Sequence, residues 1–182
     1  MLKHRDLHEC NELFELMSHP SVFPYVRHKA KSPEEFLFMT KQLIEDEKNG
    51  LAVSRTILDD WGQVIGTISI YDVQDNAGFL GTWLGKEFQG KGYNEKAKIA
   101  FLNELFFELD FNTVFLRIRV ENARSIRAAQ KLPYVMSAEE SHSALLDEIN
   151  AGETKFRLFK IPKDLFYLVT AHQQDEEEEQ AM

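Results

Sequence analysis

The stretch "GTWLGKEFQGKGYNEKAK", Gly81 to Lys98, decides how the rest of the chain is read. Before it, "AGFLGTWLG" reads as a strand. After it, Ala97, Phe101, Leu105 and Leu109, with Leu102 and Phe106 alongside, recur at four-residue spacing as one buried face of a helix over Glu95 to Leu109. Gly90 and Gly92 therefore fall where a strand turns into a helix. At such a junction the free amides and the positive end of the helix converge, and glycines let an anion approach the backbone. Lys91 adds a positive charge, and Asn94 tolerates unusual backbone angles and reads as the helix N-cap. The dinucleotide fingerprint fails because Glu95 stands three residues after Gly92, and the Walker A pattern is absent. On glycine spacing alone, a plain strand-to-helix turn is the competing reading.

Outward from this junction the elements alternate. Leu7, Leu13, Phe14, Leu16 and Met17 mark a first helix from Asp6 to Ser18, stopped by Pro20 and Pro24. Helix-like sequence begins so early that a strand before it is missing or very short. Ser32, Pro33 and Glu35 form an S-x-x-E capping box for a second helix that ends near Gly50. "LAVSRTIL" and "QVIGTISIYDV" flank "DDWG" as two strands and a tight turn. Beyond the junction helix, "TVFLRIRV" alternates Val114, Leu116, Ile118 and Val120 with Phe115, Arg117 and Arg119 as a strand. "NARSIRAAQKL" is a short helix halted by Pro133, a helical stretch follows around Leu145 to Ile149, and "TKFRLFKI" is a late strand ended by Pro162. The expected fold is α/β (α+β), a mixed, mostly antiparallel sheet with helices on both faces.

With 182 residues, 43% hydrophobic, the chain suits one domain, placed at 1–170, followed by an acidic tail over 171–182 that is too polar to fold. Asp175 to Glu179 supply five of the nine net negative charges, so the body is only mildly acidic. It shows no dense basic run for duplex nucleic acid, and its net charge favours a cationic or neutral small partner. Cys10 is the single cysteine, which excludes an internal disulfide and is compatible with a reducing cytoplasm. No segment approaches the roughly 20 apolar residues of a membrane span, and "MLKHRDLHEC" lacks an apolar signal core. The six histidines show no metal-ligand spacing and read as surface residues; no metal is expected.

Gln89-x-x-Gly92-x-Asn94 resembles the Q/R-x-x-G-x-G/A signature of the GNAT acyltransferases. "WLGKEFQGKGYNEKA" followed by "RVENARSIRAAQKLPYV" is similar to the RimJ/RimL-like branch, whose N-x-x-S-x-x-x-x-x-K-L-G-F pattern is met by Asn122, Ser125, Lys131 and Leu132. The chain departs at Asn94 (usually Gly or Ala), Pro133 (Gly) and Tyr134 (Phe). Ala129 stands where many relatives place a catalytic tyrosine.

The resemblance implies an N-acetyltransferase that moves the acetyl group of acetyl-coenzyme A to a primary amine by direct attack on the thioester. The acceptor is a small amine or a protein N-terminus. It implies a splayed parallel strand pair at the cofactor, contacted by Leu84, Lys86, Gln89, Gly90, Lys91, Gly92, Tyr93, Asn94 and Asn122. The amide of Leu84 would meet the oxyanion, Asn122 would hold the cofactor arm or the acceptor, and Ser125 would lie near the sulfur as a proton donor, directly or through water. Asn122 and Ser125, the latter at the N3 position, read alternatively as caps of the short helix, and capping and cofactor contact can coexist. Asp72 and Asp75 are candidate bases whose types suit turns better. Trp83 reads as core and Arg117 and Arg119 as solvated. A monomer or homodimer is expected. A non-catalytic acyl-coenzyme A binding module is the alternative, and a purely structural interaction domain is a third reading.

Overall fold

Three antiparallel pairings organise residues 1–110: β1 (Leu2–His4) with β2 (Val53–Leu58), β2 with β3 (Val64–Gln74), and β3 with β4 (Ala77–Leu84). The structure, a computed structural model, describes residues 1–171, in one unit spanning Met1–Asp110 and a second beginning at Phe111. The acidic tail expected from Asp175 onward lies outside the described residues.

In the first unit α1 (Cys10–Met17) and α2 (Pro33–Lys48) cover one face of the sheet, and α3 (Tyr93–Asn103) covers the other. Alternation along β2 makes this division visible. The Thr56 hydroxyl donates to Glu9 at 2.7 Å and Ser54 meets Arg5, whereas Arg55 reaches the carboxylate of Glu104, just beyond α3. Beneath α1 and α2 pack Cys10, Leu13, Met17, Val22, Val26, Ala30, Phe36 and Val64, with Trp83 partly buried against them. Of the two expectations for the first strand, missing or very short, the second holds: it is three residues long and paired to Arg55–Ile57. Ser32 caps α2 by accepting the Glu35 amide at 3.1 Å, but the Glu35 carboxylate accepts from Lys31 rather than from Ser32, so the reciprocal half of the capping box is displaced by one residue.

Turn chemistry sets the register. In "DDWG" the Asp59 carboxylate accepts the amides of Trp61 (2.9 Å) and Gln63 (2.8 Å), and Gly62 takes φ +82°. Asp75 and Asn76, at φ +50° and +58°, form a two-residue turn with the backbone of type I′ between Gln74 and Ala77. The junction helix is not uniform. Its regular part is Tyr93–Asn103, and Glu104–Glu108 widens into a π turn in which Leu109 N–H donates to Glu104 O at 3.0 Å. The wider turn rotates the helix face, so Phe101, Leu102, Leu105 and Phe106 are fully buried while Leu109, expected on that face, is 42% exposed.

The second unit pairs β5 (Thr113–Arg119) with β7 (Phe156–Pro162) and β7 with β6 (Met136–Ser137), all antiparallel. It adds α4 (Ala123–Gln130), α5 (Ser143–Ile149) and a helix, α6, over 163–171. Simple alternation does not hold in β5: Val114 and Phe115 are both buried, and Val120 lies beyond the strand, 43% exposed. Pro162 does end β7, but α6 follows at once, and the short β6 had no periodic signal. No described helix is long and apolar enough to cross a membrane.

Arg55 ties β2 to α2 and to the segment after α3. Its buried guanidinium pairs with Glu47 at the end of α2 (2.7 Å) and with Glu104. Burial pulls its pKa down, but bonds to Glu104 and Glu47 outweigh this and leave it above the ordinary value. Arg55→Leu is expected to lower unfolding free energy by about 3 kcal/mol because two partly buried carboxylates lose their cation. Urea titration measures this, and adding Glu104→Gln should recover part of the loss.

Candidate active site

The junction after β4 is built around Leu84. The Gly85 amide donates to Ile65 O at 2.8 Å, and because such bonds alternate along an antiparallel pair, the N–H and C=O of Leu84 point to the edge of β4 away from β3. The carbonyl on that edge accepts the Gln89 side-chain amide at 3.0 Å. Gln89 thus ties the loop to the strand end. Gly85 lies close to side chains, since a Cβ there would stand 2.8 Å from Leu16 Cδ2 and 3.2 Å from the Phe88 ring, so a larger residue would make Leu16 shift. Lys86 opens a single turn over Lys86–Phe88 and is exposed; Phe88 is the buried anchor of that turn.

Gly90 and Gly92 have φ of +75° and +85°, and a Cβ built on either meets nothing within 4 Å. Their need is conformational rather than steric: the left-handed backbone suits glycine, and the space beside it is open. Gly92 is the N-cap of α3, correcting the expectation that Asn94 would be; Asn94 is already inside the helix because the chain enters it through the left-handed glycine. The first helical bond of this turn runs from Lys96 N–H to Gly92 O (3.1 Å), so the amides of Tyr93, Asn94 and Glu95 precede the ladder. Lys91 is exposed, its ammonium 5.8 Å from the Phe88 ring centroid. Tyr93 is partly buried beside Asp60; partial burial first, then the charges of Asp60 and Asp59, raises its pKa. The sequence reading passed over Lys98, half-buried on α3, whose pKa burial pushes down against a smaller opposing effect of Glu95. A lysine one turn past a phosphate-type loop could have been singled out.

In the second unit Asn122 is the N-cap of α4, its Oδ1 accepting the Ser125 backbone N–H at 3.1 Å. The capping reading therefore holds for Asn122. Ser125 contributes only its amide; its hydroxyl has no hydrogen-bond partner among the described residues. Ala129 is buried. Arg119 is exposed, whereas Arg117, read as solvated, is half-buried with its guanidinium 5.5 Å from the Phe156 ring centroid. His142 is also half-buried, against Phe115. Asp72 sits at a bulge with φ +52° and pairs with Arg27, so its carboxylate is already committed.

Set beside known proteins, the chain matches the family description "Acetyltransferase (GNAT) domain" over residues 1–135. The protein belongs to the GNAT acetyltransferase family. Among solved structures it is similar to a spermidine N-acetyltransferase from Vibrio cholerae in complex with CoA and spermine (12% identity, 92% of this chain and 97% of that one, TM-score 0.72). It is also similar to FdhC, a nucleotide-linked sugar GNAT (15%, 95% and 92%, TM-score 0.75), and to a ribosomal-protein-S5-alanine acetyltransferase from Vibrio fischeri (18%, 90% and 92%, TM-score 0.69). At these identities the likeness is one of fold, and it bears out the expected mixed, mostly antiparallel α/β architecture. No curated protein sequence matches.

The capping geometry separates two neighbouring residues. Asn122→Ala is expected to lower stability by about 1 kcal/mol through loss of the cap, and Ser125→Ala to leave it within about 0.5 kcal/mol. Thermal and urea unfolding of both variants checks this.

Proposed function

We propose that the protein is a RimJ/RimL-like N-acetyltransferase in which the loop Gln89–Asn94 receives the pyrophosphate of acetyl-coenzyme A. The carrying observation is the pair of left-handed glycines with open space beside them, next to three helix amides that precede the first α3 bond. Lys91 and Lys86 add exposed positive charge, and Gln89 fixes the loop on the end of β4. Tyr93 and Asn94 supply the first helical amides.

Acetyl-coenzyme A is the donor and a primary amine the acceptor. As the amine attacks the thioester carbon, negative charge grows on the carbonyl oxygen, and the Leu84 N–H, turned to the outer edge of β4, is the donor assigned to it. Asn122 contributes to alignment of the cofactor arm and Ser125 is the proton donor to the departing thiolate, its hydroxyl being uncommitted in the cap. With Asp72 held by Arg27, no carboxylate is assigned as base. One catalytic domain over 1–170, in a cytoplasmic monomer or homodimer, completes the proposal.

Thiol release from acetyl-coenzyme A across a panel of small amines and N-terminal peptides tests the reaction. Acceptor-dependent release supports it; coenzyme A binding with no release for any amine would favour the non-catalytic acyl-coenzyme A module. In calorimetric titration, Gly92→Val should weaken coenzyme A binding more than Lys91→Ala, since the first forces a branched residue into a left-handed backbone and the second removes one exposed charge. Unchanged affinity in Gly92→Val would remove the loop from the site. Ser125→Ala is expected to lower turnover by roughly ten- to a hundredfold with coenzyme A affinity little changed.

A further inference from the structure

On the reading that this protein acetylates amines, we propose that its acceptor is a primary amine that also carries an anionic group, received by Lys29 and Lys31 in the connection between α1 and α2. The chain holds 30 acidic against 21 basic residues, yet the connection 18–32, "SHPSVFPYVRHKAKS", contains Arg27, Lys29, Lys31, His19 and His28 and no Asp or Glu. The local charge is opposite to that of the whole, which by itself had favoured a cationic or neutral partner.

This connection is fastened to the sheet beside the reacting strand. The Arg27 guanidinium lies 4.7 Å from the Tyr71 ring centroid and pairs with Asp72, and the His28 ring meets Tyr71 edge-on at 4.8 Å. Tyr71 in turn lies across Gly81 of β4, where a Cβ would come within 3.1 Å of the ring. Gly81 is three residues before Leu84, about 10 Å along the strand. The Arg27–His28 end of the connection therefore rests, through Tyr71, on the strand whose last residue is Leu84.

Of the neighbouring carboxylates, Asp72 is paired with Arg27, Glu35 accepts the Lys31 backbone amide at 2.6 Å, and Glu34 and Glu35 both stand in the first turn of α2, where the positive end of that helix offsets part of their charge. Lys29 and Lys31 are exposed and have no ion-pair partner among the described residues, Lys29 lying 6.0 Å from the Phe23 ring centroid. Two exposed ammonium groups without an ion-pair partner attract an anionic ligand and repel a polycationic one.

The test compares kcat/KM for glucosamine 6-phosphate against glucosamine, and for peptides beginning Ala-Asp-Asp against Ala-Lys-Lys, in the natural protein, in K29E/K31E and in K29Q/K31Q. The anionic member of at least one pair is expected to be preferred. Charge reversal should cut its kcat/KM about tenfold while the neutral or cationic member holds or gains. The KM for acetyl-coenzyme A and the thermal midpoint should not move, and the glutamine variant should fall between. Preference of the natural protein for the neutral or cationic member in both pairs, or equal ratios in all three proteins, would overturn the proposal while leaving acetyl transfer intact. If no amine is acetylated and calorimetry finds no coenzyme A binding, acetyl transfer itself fails and the proposal falls with it.

Discussion

The backbone reversal between β4 and α3 is the constraint on which the proposed site depends. A strand must end, a single turn must seat Phe88 in the core, and a helix must begin within a few residues, without side chains closing over the helix end. Left-handed conformations at Gly90 and Gly92 meet this requirement, and the amide of Gln89, bonded to the Leu84 carbonyl, keeps the loop against the strand. The same loop therefore orients Leu84 and exposes the first amides of α3. A non-glycine residue at either position acts through backbone strain, because the space beside both is open.

Much of this was legible in the sequence, for reasons that differ by element. The strand, the glycines and the helix after them are local signals, and the second block containing Asn122 and Ser125 made the family resemblance specific. What escaped was set by tertiary context. The N-cap of α3 is Gly92 because the left-handed entry decides where the helix begins, whereas Asn94 has the better cap chemistry on paper. The π turn after Asn103 moved Leu109 to the surface, and nothing in a four-residue repeat announces an inserted residue. Nor could spacing foretell that Arg55, in a strand buried from Val53 to Ile57, would meet carboxylates from α2 and from the segment after α3.

Asp72 and Ser125 show how geometry reassigns residues that composition leaves ambiguous. An aspartate after a strand is a candidate base until its carboxylate is seen on Arg27. A serine in the first turn of a helix is a candidate cap until the cap is seen to use only its amide. The first observation gives the Asp72 carboxylate a structural partner, and the second leaves the Ser125 hydroxyl without one among the described residues. The same Arg27 contact carries the basic connection onto Tyr71 and so links the charge pattern of residues 18–32 to the strand that ends in Leu84.

If the amides at the start of α3 bind the coenzyme A phosphates, amide hydrogen exchange with and without coenzyme A registers it at the backbone itself. In the free protein the amides of residues 90–95 lie outside the helical ladder and should exchange fast; saturating coenzyme A should slow exchange most strongly in the peptide spanning Gln89–Lys96. Coenzyme A binding, established separately by calorimetry, that protects other segments and leaves Gln89–Lys96 unchanged would contradict the account.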